Sequence, residues 1–265
     1  MEDLLRALIL GVIQGLTEFL PVSSSGHLEL ARYILDDQSK AEVGLLMSVV
    51  LHFATAVATI IVFRKDVLDI IKRCFQRDKD GLKYALFILI SMVPAVFVGL
   101  FYEDMIEQLF NKNLLLVGSM LLITAALLLW ADKSHDAEKP LTTFKSFIIG
   151  IAQAFAILPG VSRSGATISM ALLLNIDRVE AARFSFLMVV PLIFGKILKD
   201  VMDGALVQPD VQQGPLMVGF ITAFFAGFIA CKWMIQIVRK AKLAYFAIYC
   251  TIIGLISITV ALGWF

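Results

Sequence analysis

A glutamine and a glutamate four residues apart, Gln14 and Glu18, precede Pro21, Val22, Ser23, Ser24, Ser25, Gly26 and His27. On a helix the first two share a face. A carboxylate inside an apolar segment costs about 2.5 to 3.5 kcal/mol unless it is paired or wet. Glu18 therefore either ties its helix to a neighbour or does chemistry. The residues from Pro21 to His27 favour chemistry, because hydroxyls, a flexible glycine and an imidazole are crowded into a few positions. If a second helix begins there, Ser24 and His27 are three apart and adjacent on its first turn. A hydroxyl beside an imidazole that a carboxylate can orient is the general form of an activated nucleophile. On this reading Ser24 attacks, His27 takes its proton and Glu18 supplies the carboxylate. Ser-x-x-His is common by chance, and its position in an interrupted apolar segment is what gives it weight.

The pattern occurs twice. Gly11, Gln14, Val22, Ser23, Ser25 and Gly26 recur as Gly150, Gln153, Val161, Ser162, Ser164 and Gly165, since 150 − 11 and 164 − 25 both give 139. Only the proline slips, by one place, to Pro159. The second copy replaces Ser24 by Arg163 and His27 by Ala166, and adds Thr167. An arginine in an apolar segment needs an anion, and its planar fork suits phosphate oxygens taken two at a time. N–H groups at the start of a helix add donors, and Gly165 permits close approach. A structural alternative is an ion pair from Arg163 to Glu18 across the repeat; the two readings are compatible, since Glu18 can hold Arg163 until phosphate arrives. Copy one offers a nucleophile, a base and a carboxylate. Copy two offers an anion clamp of Arg163, Ser162, Ser164, Thr167 and Gly165, to which Ser23, Ser25, Gly26 and Gln14 add polar contacts. The combination points to phosphoryl transfer on a membrane-borne substrate.

The elements that must position these residues are membrane helices. Hydrophobic residues form 59% of the 265, against about 45–50% in soluble domains, and the mean hydropathy is +0.86. Six stretches are long enough to cross a bilayer, roughly 43–63, 84–101, 113–131, 184–199, 215–236 and 244–264. The two repeat segments, roughly 4–35 and 147–174, are apolar but broken by Pro, Gly and Ser, so they read as re-entrant helical hairpins. The expected fold is a single all-α polytopic membrane domain over 1–265, with repeats at roughly 1–131 and 147–265. The N-terminus begins Met1-Glu2-Asp3 without a basic region, so this segment is expected to be retained rather than cleaved.

Arg64, Lys65, Lys72, Arg73, Arg77, Lys79 and Lys83 make the most basic connection, which the positive-inside rule places in the cytoplasm. Glu103, Asp104 and Glu107 then fall outside, Lys133 to Lys145 inside, Asp200, Asp203 and Asp210 outside, and Arg239, Lys240 and Lys242 inside. Three spans separate the hairpins, so the repeats are expected to be inverted, with their broken helices meeting near one substrate site.

Other residues carry less. His52 reads as a hydrogen-bonded packing residue and His135 as part of a charged loop; neither has partners at metal spacing. Lys196 and Lys232 can snorkel or pair, Pro94 and Pro191 bend spans, and Glu29 is expected on another face from His27. Asp177, Arg178, Glu180 and Arg183 read as an interfacial loop. Cys74, Cys231 and Cys250 are far apart and imply no disulfide framework. With 23 basic against 22 acidic residues, net +1, no basic face for nucleic acid can be assembled.

The strings Gln14-Gly-Leu-Thr-Glu18-Phe-Leu-Pro-Val-Ser-Ser-Ser-Gly-His27 and Leu158-Pro-Gly-Val-Ser-Arg-Ser-Gly-Ala-Thr167 closely resemble the two signature motifs of bacterial undecaprenyl-diphosphate phosphatases of the bacitracin-resistance type. The similarity extends over essentially the whole chain, including Phe184-Ser-Phe-Leu and Gly219-Phe-Ile-Thr-Ala. It implies hydrolysis of undecaprenyl diphosphate to the monophosphate and inorganic phosphate, which recycles the lipid carrier of cell-wall synthesis and confers bacitracin resistance. It places the chain in the bacterial inner membrane. Because the substrate is regenerated on the outer surface, the site is expected to open outward. In such enzymes the acidic motif often reads Glu-x-x-x-Glu; here Gln14 takes the first place, leaving Glu18 as the carboxylate. The resemblance further implies a divalent cation, magnesium or calcium, held by Glu18 together with substrate phosphate. The partners expected are the lipid substrate, membrane lipid and, compatible with the sequence, a second copy in a homodimer.

Two other readings compete. Inverted repeats with discontinuous helices are also a transporter layout, in which the same cleft flips a lipid phosphate. Acid-phosphatase-like lipid phosphatases carry Ser-Gly-His and Ser-Arg elements too, but need a histidine after the arginine, and none follows Arg163.

Overall fold

The computed structural model describes residues 2–35, 41–110, 113–134, 139–202, 212–240 and 242–264. Within them every regular element is a helix: α1 (Glu2–Phe19), α2 (Ser24–Ile34), α3 (Ala41–Val62), α4 (Arg64–Phe75), α5 (Lys79–Phe101), α6 (Glu103–Leu109), α7 (Leu114–Asp132), α8 (Thr143–Phe155), α9 (Arg163–Leu173), α10 (Arg178–Met202), α11 (Gln213–Lys240) and α12 (Ala244–Ala261). Six segments are long and apolar enough to span a bilayer: Val43–Val62, Lys79–Phe101, Leu114–Asp132, Arg178–Lys199, Gln213–Val238 and Ala244–Ala261. The protein is a multi-pass membrane protein. The bands of exposed Leu89, Val93, Phe97 and Phe101 on α5, and of Phe225, Ile229 and Trp233 on α11, are what a hydrocarbon-facing surface requires.

Three expectations are corrected. The spans expected to begin at 84 and 184 belong to helices that begin at Lys79 and Arg178, because a helix continues past the apolar layer wherever polar side chains can meet water. Arg178, Glu180 and Arg183 are thus helical rather than loop, and Asp177 caps them, its Oδ1 accepting from Val179 N at 2.9 Å and Glu180 N at 3.1 Å. The basic connection after residue 63 contains α4, which buries no residue and exposes Leu68, Ile71 and Phe75. Arg183 of α10 reaches that helix through Asp66, 2.6 Å away, and lies over the Tyr84 ring of α5. His135, Asp203 and Asp210, with the side chains of Glu103, Asp104, Glu107, Asp200, Arg239 and Lys240, lie outside the described part.

The helices that carry the repeated motif are exchanged in packing. α1 lies along α11, and α8 lies along α5. Both approaches depend on the repeated glycine: a Cβ on Gly11 would strike Thr222 and the backbone of Gly219, and one on Gly150 would strike the backbone of Ser91. Glycine at these points lets backbones meet at a distance no other residue allows. α2 and α9 have 11 residues each, about 16 Å at 1.5 Å per residue, which is near half of a hydrocarbon layer of about 30 Å.

Candidate active site

The α1–α2 break runs through Pro21 and closes on Ser23, whose backbone is left-handed at φ 71 and whose side chain accepts from Gly26 N at 3.2 Å. A serine in that conformation is uncommon and is held by its surroundings. The α8–α9 break uses Pro159 and Gly160 at φ 95, and Ser162 caps α9 by accepting from Gly165 N at 3.1 Å. Proline denies the first helix its continuation, and a serine cap starts the second.

The two breaks bond to each other reciprocally. Ser23 Oγ donates to Val161 O at 3.3 Å, and Ser164 Oγ donates to Leu20 O at 3.2 Å. Within each break the alternate serines face one another, Ser23 with Ser25 and Ser162 with Ser164, both at 3.3 Å. Thr124 of α7 underpins the second break, donating to Gly160 O at 3.3 Å and accepting from Ser162 N at 3.0 Å.

Glu18 is where the halves meet. Its Oε1 takes Arg163 Nη2 at 2.7 Å; its Oε2 takes Ser24 Oγ at 2.7 Å and Gln14 Nε2 at 3.1 Å. The Glu18 side chain is 8% exposed and that of Arg163 14%. One carboxylate therefore holds the hydroxyl of the first motif and the guanidinium of the second. Arg163 Nη1 also donates to Ser185 O at 3.2 Å, while Thr167 Oγ1 and Ser185 Oγ lie 2.6 Å apart. Gly26 packs against Gly160, and Gly165 against Pro21, so both helix N-termini are brought against the opposite break. First-turn N–H groups there have no helical partner of their own and suit an anion.

His27 is placed differently from the sequence expectation. It shares the first turn of α2 with Ser24, but its Nδ1 lies 2.8 Å from Ser23 O and its Nε2 lies 2.8 Å from the Tyr249 hydroxyl of α12, on which its ring stacks. Both ring nitrogens are thus engaged away from Ser24, and the acceptor at the Ser24 hydroxyl is Glu18. A helical i, i+3 spacing fixes which side chains are neighbours, not which way a ring turns. A residue read from the sequence as packing instead borders the site: His52 Nε2 of α3 is 3.8 Å from Glu18 Oε2, and its Nδ1 is 2.8 Å from Ser48 O. Tyr249, Thr124 and Ser185 also join the site without being expected there. Of these only Ser185 had a local signal, a serine within the Phe184-Ser-Phe-Leu string.

Glu18 alone makes no preformed metal cage, and a divalent ion beside it would depend on substrate phosphate oxygens. Both of its oxygens already receive donors, one of them a cation, and among the described residues no three His, Cys, Asp or Glu side chains gather as a metal-binding group. Gln14 Oε1 is buried without a partner, a single neutral acceptor where a hard divalent ion takes six or more oxygens.

The family model described as bacitracin resistance protein BacA matches residues 7–256. An undecaprenyl-diphosphatase of Christiangramia forsetii is 56% identical over 260 residues, covering 98% of each chain. One from Parabacteroides distasonis is 48% identical over 262 residues, covering 97% of this chain and 98% of its own. One from Korarchaeum cryptofilum is 39% identical over 265 residues, covering 96% and 97%.

Proposed function

The chain belongs to the bacitracin resistance protein BacA family, and we propose that it hydrolyses undecaprenyl diphosphate to undecaprenyl phosphate and inorganic phosphate. The observation that carries this reading is the sharing of Glu18 between Ser24 and Arg163, both at 2.7 Å. The carboxylate orients a nucleophile and at the same time restrains a phosphate-binding fork beside it.

In the proposed reaction the terminal phosphate of the lipid displaces Glu18 as the partner of Arg163. Ser162, Ser164, Thr167 and the first-turn N–H groups near Gly165 and Gly26 supply neutral donors, with Ser23, Ser25 and Gln14 at the margin. Ser24 Oγ then forms a bond to the terminal phosphorus as its proton passes to Glu18. The bond from that phosphorus to the bridging oxygen breaks, and undecaprenyl phosphate leaves with the electron pair. Water next attacks the phosphoserine; Ser24 Oγ recovers its proton from Glu18, and inorganic phosphate departs carrying the protons of the water. Most of the catalysis is electrostatic, through donors placed where charge develops. His27, tied to Tyr249, flanks the nucleophile as a polar wall. Direct attack by water with Glu18 as base is the alternative at the same site, and a phosphorylated Ser24 separates the two.

A divalent cation, in this reading, would arrive with the lipid diphosphate and add to the neutralising charge that Arg163 supplies from the protein side. The paired half-length helices are read as re-entrant elements of inverted repeats, opening the site to the outer face of the bacterial inner membrane, where the lipid diphosphate is produced. The chain in detergent is expected to release phosphate from undecaprenyl diphosphate, and Glu18→Gln to lose about 100-fold or more of that rate. A carrier that only flips lipid needs two compartments and would release none.

A further inference from the structure

Two imidazoles border the Ser24–Glu18 pair, and their ring nitrogens are committed differently. In each, Nδ1 faces a backbone carbonyl at 2.8 Å, Ser23 O for His27 and Ser48 O for His52. A carbonyl only accepts, so each neutral ring carries its hydrogen on Nδ1 and a lone pair on Nε2. The His27 lone pair is filled by the Tyr249 hydroxyl at 2.8 Å. That of His52 has no hydrogen donor among the described residues and lies 3.8 Å from Glu18 Oε2, the same oxygen that accepts from Ser24.

Resting on the phosphatase reading above, we propose that His52 is a positioning residue for Glu18: its Nε2 accepts the hydrogen that Glu18 carries after taking the Ser24 proton. With the ring neutral and Glu18 ionised, a ring lone pair and a carboxylate oxygen cannot bond, and the separation of 3.8 Å exceeds hydrogen-bond length. Once Ser24 bonds to phosphorus, its proton sits on Glu18 and Oε2 becomes a donor. With Arg163 drawn to the phosphate, Gln14 Nε2, 3.1 Å from Oε2, remains as an N–H donor to this carboxylate. Among the described residues two neighbours carry an uncommitted acceptor, His52 Nε2 and Gln14 Oε1, and of these the glutamine turns its N–H side to Glu18 Oε2, which leaves the histidine lone pair facing the acid form.

Without that acceptor the protonated carboxyl would be a buried donor with nothing to receive it unless the Gln14 amide turned its partnerless Oε1 toward it, and that cost falls on the chemical step rather than on substrate binding. The ring is held in place for this. Ser48 Oγ accepts from Arg32 Nη2 at 2.7 Å, and Arg32 also donates to Gly44 O at 2.8 Å, anchoring this turn of α3 to α2.

The test is kcat and KM for phosphate release from undecaprenyl diphosphate in detergent, alongside thermal unfolding, for the wild type, His52→Leu, His52→Gln and His52→Lys. His52→Gln, whose amide oxygen accepts, is expected to stay within about fivefold of wild-type kcat. His52→Leu and His52→Lys, which cannot accept, are expected to fall about 10- to 100-fold, with KM within about twofold. If His52→Leu does not fold, the contrast of Gln with Lys decides. Folded Leu and Lys variants turning over like the wild type would overturn the inference, as would a Gln variant falling as far as they do. A wild type that releases no phosphate instead overturns the phosphatase reading itself.

Discussion

Replacing Arg163 by alanine removes the guanidinium lying 2.7 Å from Glu18 Oε1 and donating to Ser185 O at 3.2 Å. The two side chains are 14% and 8% exposed, so solvent screens the pair little. Breaking a buried pair by deleting one partner costs about 3–5 kcal/mol, chiefly because the other charge is stranded. At about 2–4 °C per kcal/mol for a chain of this size, the unfolding midpoint is expected to fall by roughly 6–20 °C. Glu18→Gln strands the arginine and costs a similar amount. The double variant strands neither, so its loss is expected to be less than the two single losses added, by about 2–3 kcal/mol. The assay is thermal unfolding of the four proteins in one detergent at equal concentration. Losses that add within about 0.5 kcal/mol would refute the buried ion pair as the bond between the two halves.

Gly150→Val places a Cβ against the Ser91 backbone and is expected to destabilise the α8–α5 contact by about 1–3 kcal/mol; Gly99→Ala, where nothing lies within 4 Å of the new carbon, is expected to be neutral or up to about 1 kcal/mol stabilising. Both are read from unfolding midpoints. Chelator-treated protein is expected to hold well under about 0.1 equivalent of divalent metal by elemental analysis, with activity restored by magnesium or calcium in proportion to the lipid diphosphate rather than to the protein. Stoichiometric metal retained by the wild type and lost in Glu18→Gln would reverse that assignment.

The broken helices are legible in the sequence because the chemistry that breaks them is local. Pro21 and Pro159, the serine caps and Gly160 sit within a few residues of the turns they make. The spans are legible for the same reason, their signal being a run of apolar residues, and their ends differ from expectation most where Lys79 and Arg178 begin a helix beyond the apolar layer, by less where α11 runs on to Lys240 and α12 stops at Ala261. α4 is not legible when its charges are taken as loop charges, although they repeat at helical spacing. The Glu18–Arg163 pair is legible as one alternative, since each charge in hydrocarbon needs a partner, but cost alone does not name that partner. The turning of His27 toward Tyr249 and the approach of His52 to Glu18 are not legible. They depend on how α12 and α3 pack around the breaks, 222 residues from His27 in the first case, and no spacing within a motif contains that information.

The most direct test of convergence on one phosphorus is to quench the wild type within its first turnovers on undecaprenyl diphosphate and examine the peptide spanning Ser23–Ser25 by mass spectrometry. A transient phosphate on Ser24, absent from Ser24→Ala and strongly reduced in Glu18→Gln and Arg163→Ala, is the expected result. A Ser24→Ala protein that turns over at the wild-type rate, with no phosphate on that peptide at any time, would contradict it.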